Sequence, residues 1–329
     1  MTDGTDTLRF RLLDEHQRDF PLVERPFAQI ADALETTEAR VLGTLAALVA
    51  DGAIARVGAT VRPNTAGVST LAAMALPEGE IDGAAVCLSA LRGINHSYLR
   101  EDAWNLWFVA TAPDEPALAG MLDHVARTTG RRVLDLRLVR QFHIDLGFSL
   151  SGRVAKSVRA TSPDTSLLQS HDRPLLQALS EGLALVERPY AELGHRLGRS
   201  APEVMRRIGE LTAAGIISRL GVIVRHRKLG WAANAMVVWD VPEASVEAIG
   251  HKLAHLPGVS LCYQRRAYPD VWPYRLYIMV HARTPSEAQG VIALAAALPE
   301  LEGVPHKCLF STHCFKQSGA WLHREEIAA

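Results

Sequence analysis

In the second half of the chain, apolar residues recur at helical spacing and then give way to a short apolar run. Four leucines on one stripe predict a first helix: Leu175, Leu176, Leu179 and Leu183. A short second helix is expected over residues 190–197. Ser200 and Glu203 have the spacing of a capping box, which predicts the start of a third helix ending at Gly215. Residues 216–224 have the pattern of wing strands. Three short helices and a wing predict a winged helix-turn-helix.

A second pattern of alternating short strands and helices follows each wing. In the first half it predicts four strands and two helices in the order βαββαβ, over residues 69–76, 81–91, 94–100, 104–111, a helix carrying Leu118 to Val125, and 133–140. The second half repeats this order from Asn234 to Phe315. Such an order is typical of a ferredoxin-like antiparallel sheet with both helices on one face. The predicted fold class is therefore α+β.

The two halves are copies of one module. Val23-Glu24-Arg25-Pro26-Phe27-Ala28 returns as Val186-Glu187-Arg188-Pro189-Tyr190-Ala191, and at the same offset Arg56 matches Arg219 and Gly58 matches Gly221. A segment rich in Ser, Thr, Gly and Pro separates the copies. We therefore predict six segments: helix-turn-helix 1 (1–68), βαββαβ domain 1 (69–148), linker (149–171), helix-turn-helix 2 (172–231), βαββαβ domain 2 (232–320) and a C-terminal tail (321–329).

Composition and charge argue against nucleic acid as the main partner. Hydrophobic residues make up 48% and charged residues 22%, which is typical of a globular protein, and the net charge is only -1. The candidate recognition helix of copy two balances Arg206 and Arg207 with Glu203 and Glu210. These features argue against DNA binding.

The sequence predicts neither membrane association nor a metal centre. We expect no secretory signal, no membrane span and a cytoplasmic location. The four cysteines form no CxxC pair. Histidine and cysteine do recur near the C-terminus, but on one strand they would be spread too far for tetrahedral zinc: His306, Cys308, His313 and Cys314.

The copies differ at a few aligned positions where copy two has gained titratable groups. His226 stands where copy one has Pro63, and His281 stands where it has Thr111. Copy one instead carries His96 and His143. The other distinctive cationic and aromatic positions all lie in copy two: Arg225, Arg227, Tyr263, Arg265, Arg266, Trp272, Tyr274 and Arg275.

Arginines bind carboxylates through charged hydrogen bonds, and aromatic rings offer a stacking surface, so these residues together suit a large, flat, multiply anionic ligand. Histidine adds a proton donor or an iron ligand at neutral pH. Each residue type also has an ordinary explanation. Arg225 to Lys228 could be a solvated charge run, Trp272 and Tyr274 could be core aromatics, and a histidine on a strand is often structural.

The overall plan resembles the leucine-responsive (Lrp/AsnC) regulators, and more closely the siroheme decarboxylases. The stretches that carry the closer resemblance are Asn95-His96-Ser97-Tyr98, Asn105-Leu106-Trp107-Phe108-Val109-Ala110, Phe142-His143-Ile144-Asp145-Leu146-Gly147-Phe148, Gly221-Val222-Ile223-Val224-Arg225-His226-Arg227, Asn234-Ala235-Met236-Val237-Val238-Trp239-Asp240, Cys262-Tyr263 and Trp272-Pro273-Tyr274. They suggest that the two halves are the D-like and L-like subunit types of that family fused in one chain.

The resemblance implies loss of the C12 and C18 acetate carboxyl groups of siroheme on the way to heme d1. No added cofactor would be required, because iron enters as part of the substrate. We expect His226 as the leading proton donor and His281 as the second. The substrate would be bound by Arg225, Arg227, Tyr263, Arg265, Arg266, Trp272, Tyr274, Arg275, His96 and His143.

Partners would be siroheme, its product, a second chain through the βαββαβ domains and homologous subunits. The alternative is a ligand-sensing transcriptional regulator.

Overall fold

The computed structural model describes residues 4–144, 147, 150 and 162–324. Most of the predicted linker, Asp145 of the Phe142–Phe148 motif and the last five residues of the predicted tail lie outside this part of the chain. The first module consists of α1 (Gly4–Glu15), α2 (Pro26–Ala33), α3 (Glu38–Ala50), β1 (Ile54–Val61), β2 (Val68–Met74), α4 (Ile81–Ala90), β3 (Ile94–Arg100), β4 (Leu106–Ala112), α5 (Glu115–Thr129) and β5 (Leu134–Ile144).

The second module repeats the order of the first. It consists of α6 (Asp172–Glu181), α7 (Pro189–Leu197), α8 (Ala201–Ala213), β6 (Ile217–Val224), β7 (Ala233–Trp239), α9 (Val246–Ala254), β8 (Val259–Arg265), β9 (Leu276–Ala282), α10 (Pro285–Ala296) and β10 (His306–Gln317). The capping box predicted at the start of α8 is present: the Ser200 backbone N–H donates to Glu203 Oε2 at 2.8 Å, and the Glu203 N–H donates to Ser200 Oγ. The tandem α+β fold is confirmed.

The wings differ from the expected arrangement, because each module contributes a single strand and the two strands pair with each other. β1 runs antiparallel to β6, with Gly58 opposite Gly221. These glycines allow close backbone contacts. A Cβ at Gly58 would lie 2.4 Å from the Leu179 carbonyl oxygen, and one at Gly221 would lie 2.4 Å from that of Gln17. One shared core therefore joins the two helix-turn-helix units.

The two βαββαβ domains also join, in a closed eight-stranded barrel. The strand order is β10-β3-β4-β2-β5-β8-β9-β7, so β5 pairs with β8 and β10 pairs with β3 across the two domains. The helices of each domain cover separate apolar cores. The domain edges that were expected to bind a second chain are therefore paired within this chain.

Two segments near the chain ends of the domains extend beyond their predicted limits. β5 continues to Ile144, so His143 lies on the strand and not after it. Residues 318–324, part of which was expected to be a tail, pack against both modules: the Ser318 N–H donates to the Asn95 carbonyl at 2.8 Å, and the Leu322 N–H donates to Gln177 Oε1 at 2.7 Å. Leu322 is buried in the helix-turn-helix core.

Candidate active site

A cavity of about 400 Å³ is lined by the barrel strands and by the paired strands β1 and β6. Alternation along the strands divides the side chains. On β4, for example, Phe108 packs under the helices, whereas Trp107 packs with Trp272 and Tyr277 in a further apolar cluster. Ala320 and Leu322 of the C-terminal segment complete the lining. Both modules and the segment after β10 therefore shape a single cavity.

Among the described residues, the cavity lining contains arginine and histidine but no acidic side chain. The arginines are Arg18, Arg56, Arg62, Arg100, Arg219 and Arg265, and the histidines are His96, His143, His226 and His281. Such a surface attracts a multiply anionic ligand, and its low-dielectric walls strengthen the attraction.

Arg100 and Arg265 occupy equivalent places in the two halves of the barrel. Arg100 lies over the Tyr98 ring at 5.7 Å and donates Nη1 to the Leu309 carbonyl at 2.9 Å. Arg265 lies over the Tyr263 ring at 5.1 Å and donates Nη1 to the Leu136 carbonyl at 2.9 Å. In both, Nε is buried with no hydrogen-bond partner. Within the described chain neither guanidinium has a carboxylate partner, so both present unneutralised charge to the cavity.

Arg56 brings a third buried cation from the wing strand β1. Its Nη2 donates to the Ala59 carbonyl at 3.2 Å, and burial lowers its pKa to about 10. Burial also lowers the pKa of Arg100 to about 10. These pKa values leave both side chains charged at neutral pH, so the charge remains despite its desolvation cost.

His226 and His281 form a pair of rings packed edge to face. His226 begins a short 3-10 turn before β7, is 7% exposed, and its ring centroid lies 4.8 Å from that of His281. Burial lowers the pKa of His226 to about 4, with a further contribution from the charge of Arg227. Burial likewise lowers the pKa of His281 well below its ordinary value. Both imidazoles are therefore neutral in the ligand-free protein at pH 7.

The tautomer of His281 follows from its contact with Ser260. Ser260 Oγ donates to the Met279 carbonyl at 2.9 Å and lies 2.6 Å from His281 Nδ1. A hydroxyl has one proton to donate, so Ser260 accepts its second bond from the Nδ1–H of His281. The nitrogen of His281 that carries a lone pair is then Nε2.

His96 is held by an aromatic neighbour on its own strand. Its Nδ1 lies 3.3 Å from the Tyr98 hydroxyl oxygen, and the two rings are stacked. Burial, together with the charge of Arg56, lowers the pKa of His96 to about 4. His96 is therefore also neutral at pH 7 in the ligand-free cavity.

Half of the residues expected from sequence line the cavity: His226, His281, His96, His143, Tyr263 and Arg265. The other half lie outside the lining: Arg225, Arg227, Arg266, Trp272, Tyr274 and Arg275. Arg227 donates Nη2 to the Ser311 carbonyl at 2.8 Å, and Arg275 pairs with Glu243 at 3.1 Å. Arg266 is largely exposed and lies 3.8 Å from Asp135.

The two aromatic residues outside the lining belong to the protein core. Trp272 is 1% exposed and donates Nε1 to the hydroxyl of Tyr277 at 2.8 Å, while the Tyr274 ring packs on Trp272. This placement agrees with the alternative given above, in which Trp272 and Tyr274 are core aromatics. Trp272 contacts the cavity wall through Tyr277, which does line it.

The sequence reasoning missed the arginines of the wing strands. Arg56 on β1, Arg62 directly after β1 and Arg219 on β6 line the cavity, although none of them was among the expected site residues. One signal was available, because Arg56 and Arg219 occupy the same position in the two copies. An arginine retained in a strand that otherwise packs apolar residues needs an anionic partner or ligand.

The helix-turn-helix surface offers little free positive charge. On α8, Arg207 forms a buried ion pair with Asp172 at 2.6 Å and also contacts Glu210, which pairs with Arg206 as well. On the first module, Arg25 pairs with Glu38 at the start of α3. On α8, these ion pairs neutralise both arginines that the helix would present to phosphates.

In the described part of the chain, none of the helices has the length and apolar character needed to cross a membrane. Within the same residues, no three or more His, Cys, Asp or Glu side chains are grouped so that they could hold a metal ion.

Removing His226 should reduce the acid sensitivity of the fold. Its folded-state pKa, about 4, lies below its unfolded value of about 6.5, so the unfolded chain binds the proton first as the pH falls. Protonation of His226 in the unfolded chain should therefore lower the free energy of unfolding of the wild type by about 2 kcal/mol between pH 7.5 and pH 5. The His226→Gln variant should not show this decrease. Denaturant unfolding at the two pH values measures the difference. The exposed His124→Gln control should follow the wild type, and equal pH dependence in all three proteins would contradict the burial argument.

Matches to family models define the class of protein first. Residues 65–143 and 228–316 match the AsnC-like ligand binding domain, in agreement with a cavity walled by both barrel halves. Residues 10–54 and 172–217 match the siroheme decarboxylase NirDL-like HTH domain.

Full-length relatives then identify the family. The chain is 55% identical over 325 residues to the siroheme decarboxylase NirDL subunit of Paracoccus pantotrophus, covering 98% of this chain and 99% of the relative. It is 30% identical to the siroheme decarboxylase of Hydrogenobacter thermophilus, over 96% and 95% of the two chains. This chain belongs to the siroheme decarboxylase family, as its sequence motifs predicted.

One solved structure and one shorter relative add to this. The crystal structure of the siroheme decarboxylase NirDL in co-complex with iron-uroporphyrin III analogue matches with a TM-score of 0.66 and 25% identity, over 97% of this chain and 95% of that one. The NirD subunit of Pseudomonas aeruginosa is 43% identical over 145 residues, which are 44% of this chain and 97% of that subunit. The match to a single subunit over less than half of the chain agrees with a fused pair.

Proposed function

We propose that this chain removes the carboxyl groups of the C12 and C18 acetates of siroheme, giving 12,18-didecarboxysiroheme and CO2 in heme d1 biosynthesis. The observation that carries the proposal is the cavity lining, with six arginines, four histidines and no acidic residue among the described residues. Siroheme has eight carboxylates. An anion of that size and charge is what such a cavity would bind.

Each decarboxylation breaks the bond between the acetate CH2 and its carboxylate. The bonding electron pair stays on the CH2 carbon, where the macrocycle delocalises it, and one proton converts the CH2 to a methyl group. The balance for each step is R–CH2–COO⁻ + H⁺ → R–CH3 + CO2. The protein therefore has to orient the acetate, hold the other carboxylates and deliver a proton.

The buried histidines fit the proton requirement once the substrate is bound. His226 and His281 are neutral in the ligand-free cavity, but carboxylates placed next to them favour the imidazolium form and raise their pKa. His226 is the proposed acid and His281 the second candidate. His96 and His143 are the proposed contacts to the iron or to further carboxylates. No added cofactor is required in this scheme, because the iron arrives within the substrate.

The arginines would hold the carboxylates that do not react. Arg100, Arg265 and Arg56 line the cavity directly. Arg225 and Arg227 stand one residue on either side of His226, and the charge of Arg227 acts on that histidine without lining the cavity. We propose that Arg225 and Arg227 position His226, while Arg266, Trp272, Tyr274 and Arg275 act only through neighbouring residues.

We further propose that the chain supplies both halves of the catalytic unit itself. Both sheet edges of each βαββαβ domain are paired within the chain, so a second chain or a homologous subunit would use another surface. DNA binding is not part of the proposal, since ion pairs neutralise Arg206 and Arg207 of the candidate recognition helix α8. The proposed compartment is the cytoplasm.

Anaerobic incubation of the purified chain with siroheme, followed by mass spectrometry of the tetrapyrroles, tests the function. We expect loss of two CO2 per siroheme. Unchanged siroheme together with tight, siroheme-dependent binding to an operator DNA would contradict the proposal and support the ligand-sensing regulator.

A further inference from the structure

A pseudo-twofold axis relates the two domains of the barrel, and equivalent residues are paired in the same way in both. Ser311 lies opposite Arg100 where β10 meets β3, and Leu138 lies opposite Arg265 where β5 meets β8. In the same way Ser69 lies opposite Thr111, and Asn234 lies opposite His281. The cavity therefore contains two equivalent cationic positions, Arg100 and Arg265.

The histidines break this symmetry in favour of one half. Three histidines line the cavity where the equivalent positions, which also line it, carry no titratable group: His226 matches Pro63, His281 matches Thr111 and His96 matches Leu261. The rings of His226 and His281 lie with their centroids 4.8 Å apart, and His96 lies on β3 together with Arg100. The charge of Arg100 contributes to the lowered pKa of His281, and that of His226 contributes to the lowered pKa of His96. We call the side of the cavity that contains Arg100, His96, His226 and His281 the half around Arg100, although His226 and His281 come from the second module. This half is rich in histidine.

The half around Arg265 has different chemistry. Thr111 Oγ1 accepts the backbone N–H of Trp321 at 2.9 Å, so the residue in the place of His281 anchors the C-terminal segment. Of the described residues in the lining, this half has one histidine, His143, opposite Cys262 on β8. The residue of copy two that is equivalent to His143 is Lys316, and its Nζ donates to the carbonyls of Ser89 and Leu91.

The substrate assigned under the proposed function, on which this inference rests, has a matching symmetry. Rotation of siroheme by half a turn about the in-plane axis through its C5 and C15 carbons exchanges the C12 and C18 acetates. The same rotation exchanges the C13 and C17 propionates. The two scissile acetates can therefore occupy one place in the protein in turn, with the neighbouring propionates exchanged between two equivalent cations.

We propose that the half around Arg100 carries out both decarboxylations and that the macrocycle turns over between them. Arg100 and Arg265 serve as equivalent carboxylate anchors that exchange their partners. Each step consumes one proton at the histidine-rich half and releases one CO2, as balanced above. Strands β1 and β6 and the C-terminal segment wall the cavity, so a flat macrocycle has to leave it to turn over. The monodecarboxylated intermediate is therefore released and rebound.

Product analysis in two variants tests the assignment of both steps to one half. In single-turnover reactions, His226→Ala should slow the first and the second loss of CO2 by the same factor, about 10²-fold or more. His143→Ala should weaken siroheme binding and slow both losses alike, so that the monodecarboxylated intermediate forms and disappears in the same proportion as in the wild type. If either variant removed one acetate at the wild-type rate and then stopped, each half would have its own catalytic centre, and the proposal would be wrong.

Release of the intermediate gives a second, independent readout in the unaltered enzyme. With siroheme in large molar excess, monodecarboxylated siroheme should appear in free solution before the didecarboxylated product, which follows after a lag. Appearance of the final product with no lag and no free intermediate would overturn the turnover step. Failure of the wild type to release any CO2 would instead contradict the proposed function itself, so the two failures are distinguishable.

Discussion

Single-turnover decarboxylation by the His226→Ala variant is expected to be about 10²- to 10⁴-fold slower than by the wild type, which is the usual contribution of a positioned general acid. The electron pair left on the acetate carbon needs a proton, and His226 lies buried in the cavity beside His281. Alanine removes the donor and leaves the cavity arginines in place. The loss should therefore appear in the rate of the chemical step and not mainly in siroheme affinity.

Quenched time points under anaerobic conditions, with enzyme in excess, measure that step. In the wild type the rate should fall as the pH rises through the pKa of the substrate-bound His226, because only the imidazolium can donate. This limb of the pH profile should be absent in His226→Ala. The matched control is His124→Ala, which removes an exposed histidine on α5. A wild-type rate in His226→Ala would show that another group delivers the proton.

The elements within each module could be predicted because their signals are local. The strand expected over residues 94–100 is β3 as observed, and the capping box at Ser200 starts α8. The pairing of the elements could not be predicted in this way. β1 pairs with β6 across about half of the chain, and periodicity along one strand carries no information about its partner. The barrel closure that forms the cavity was missed for the same reason.

The candidate site shows the same division between local and distant information. Comparison of the copies singled out residues 225–227, but the 3-10 turn that begins there brings only His226 into the cavity lining. Aromatic content could not separate a cavity wall from a core, and Trp272 proved to be core. Arg56 was not among the candidates because they were chosen where the two copies differ, whereas Arg56 is matched by Arg219 in copy two.

Replacing Arg100 with methionine should weaken tetrapyrrole binding and at the same time stabilise the ligand-free protein. Arg100 is 5% exposed. Among the described residues its side chain has no carboxylate partner, and its hydrogen bond is the one from Nη1 to the Leu309 carbonyl. Loss of one charge-assisted contact should weaken binding of an octacarboxylate tetrapyrrole about 10- to 100-fold. Removing an uncompensated buried charge should raise the free energy of unfolding by about 1–2 kcal/mol, even though the hydrogen bond to the Leu309 carbonyl is lost.

Absorbance titration with iron uroporphyrin III measures the affinity, and denaturant unfolding of the ligand-free protein measures the stability. Arg265→Met, the pseudo-equivalent variant, should change both in the same direction. Arg131→Met removes an exposed arginine paired with Glu80, so it should leave affinity unchanged and stability within about 0.5 kcal/mol. If Arg100 serves ligand binding and destabilises the fold, its replacement should lower the affinity and raise the stability. Neither change is expected for Arg131→Met. A less stable Arg100→Met protein would mean that this arginine is part of the barrel's structural support.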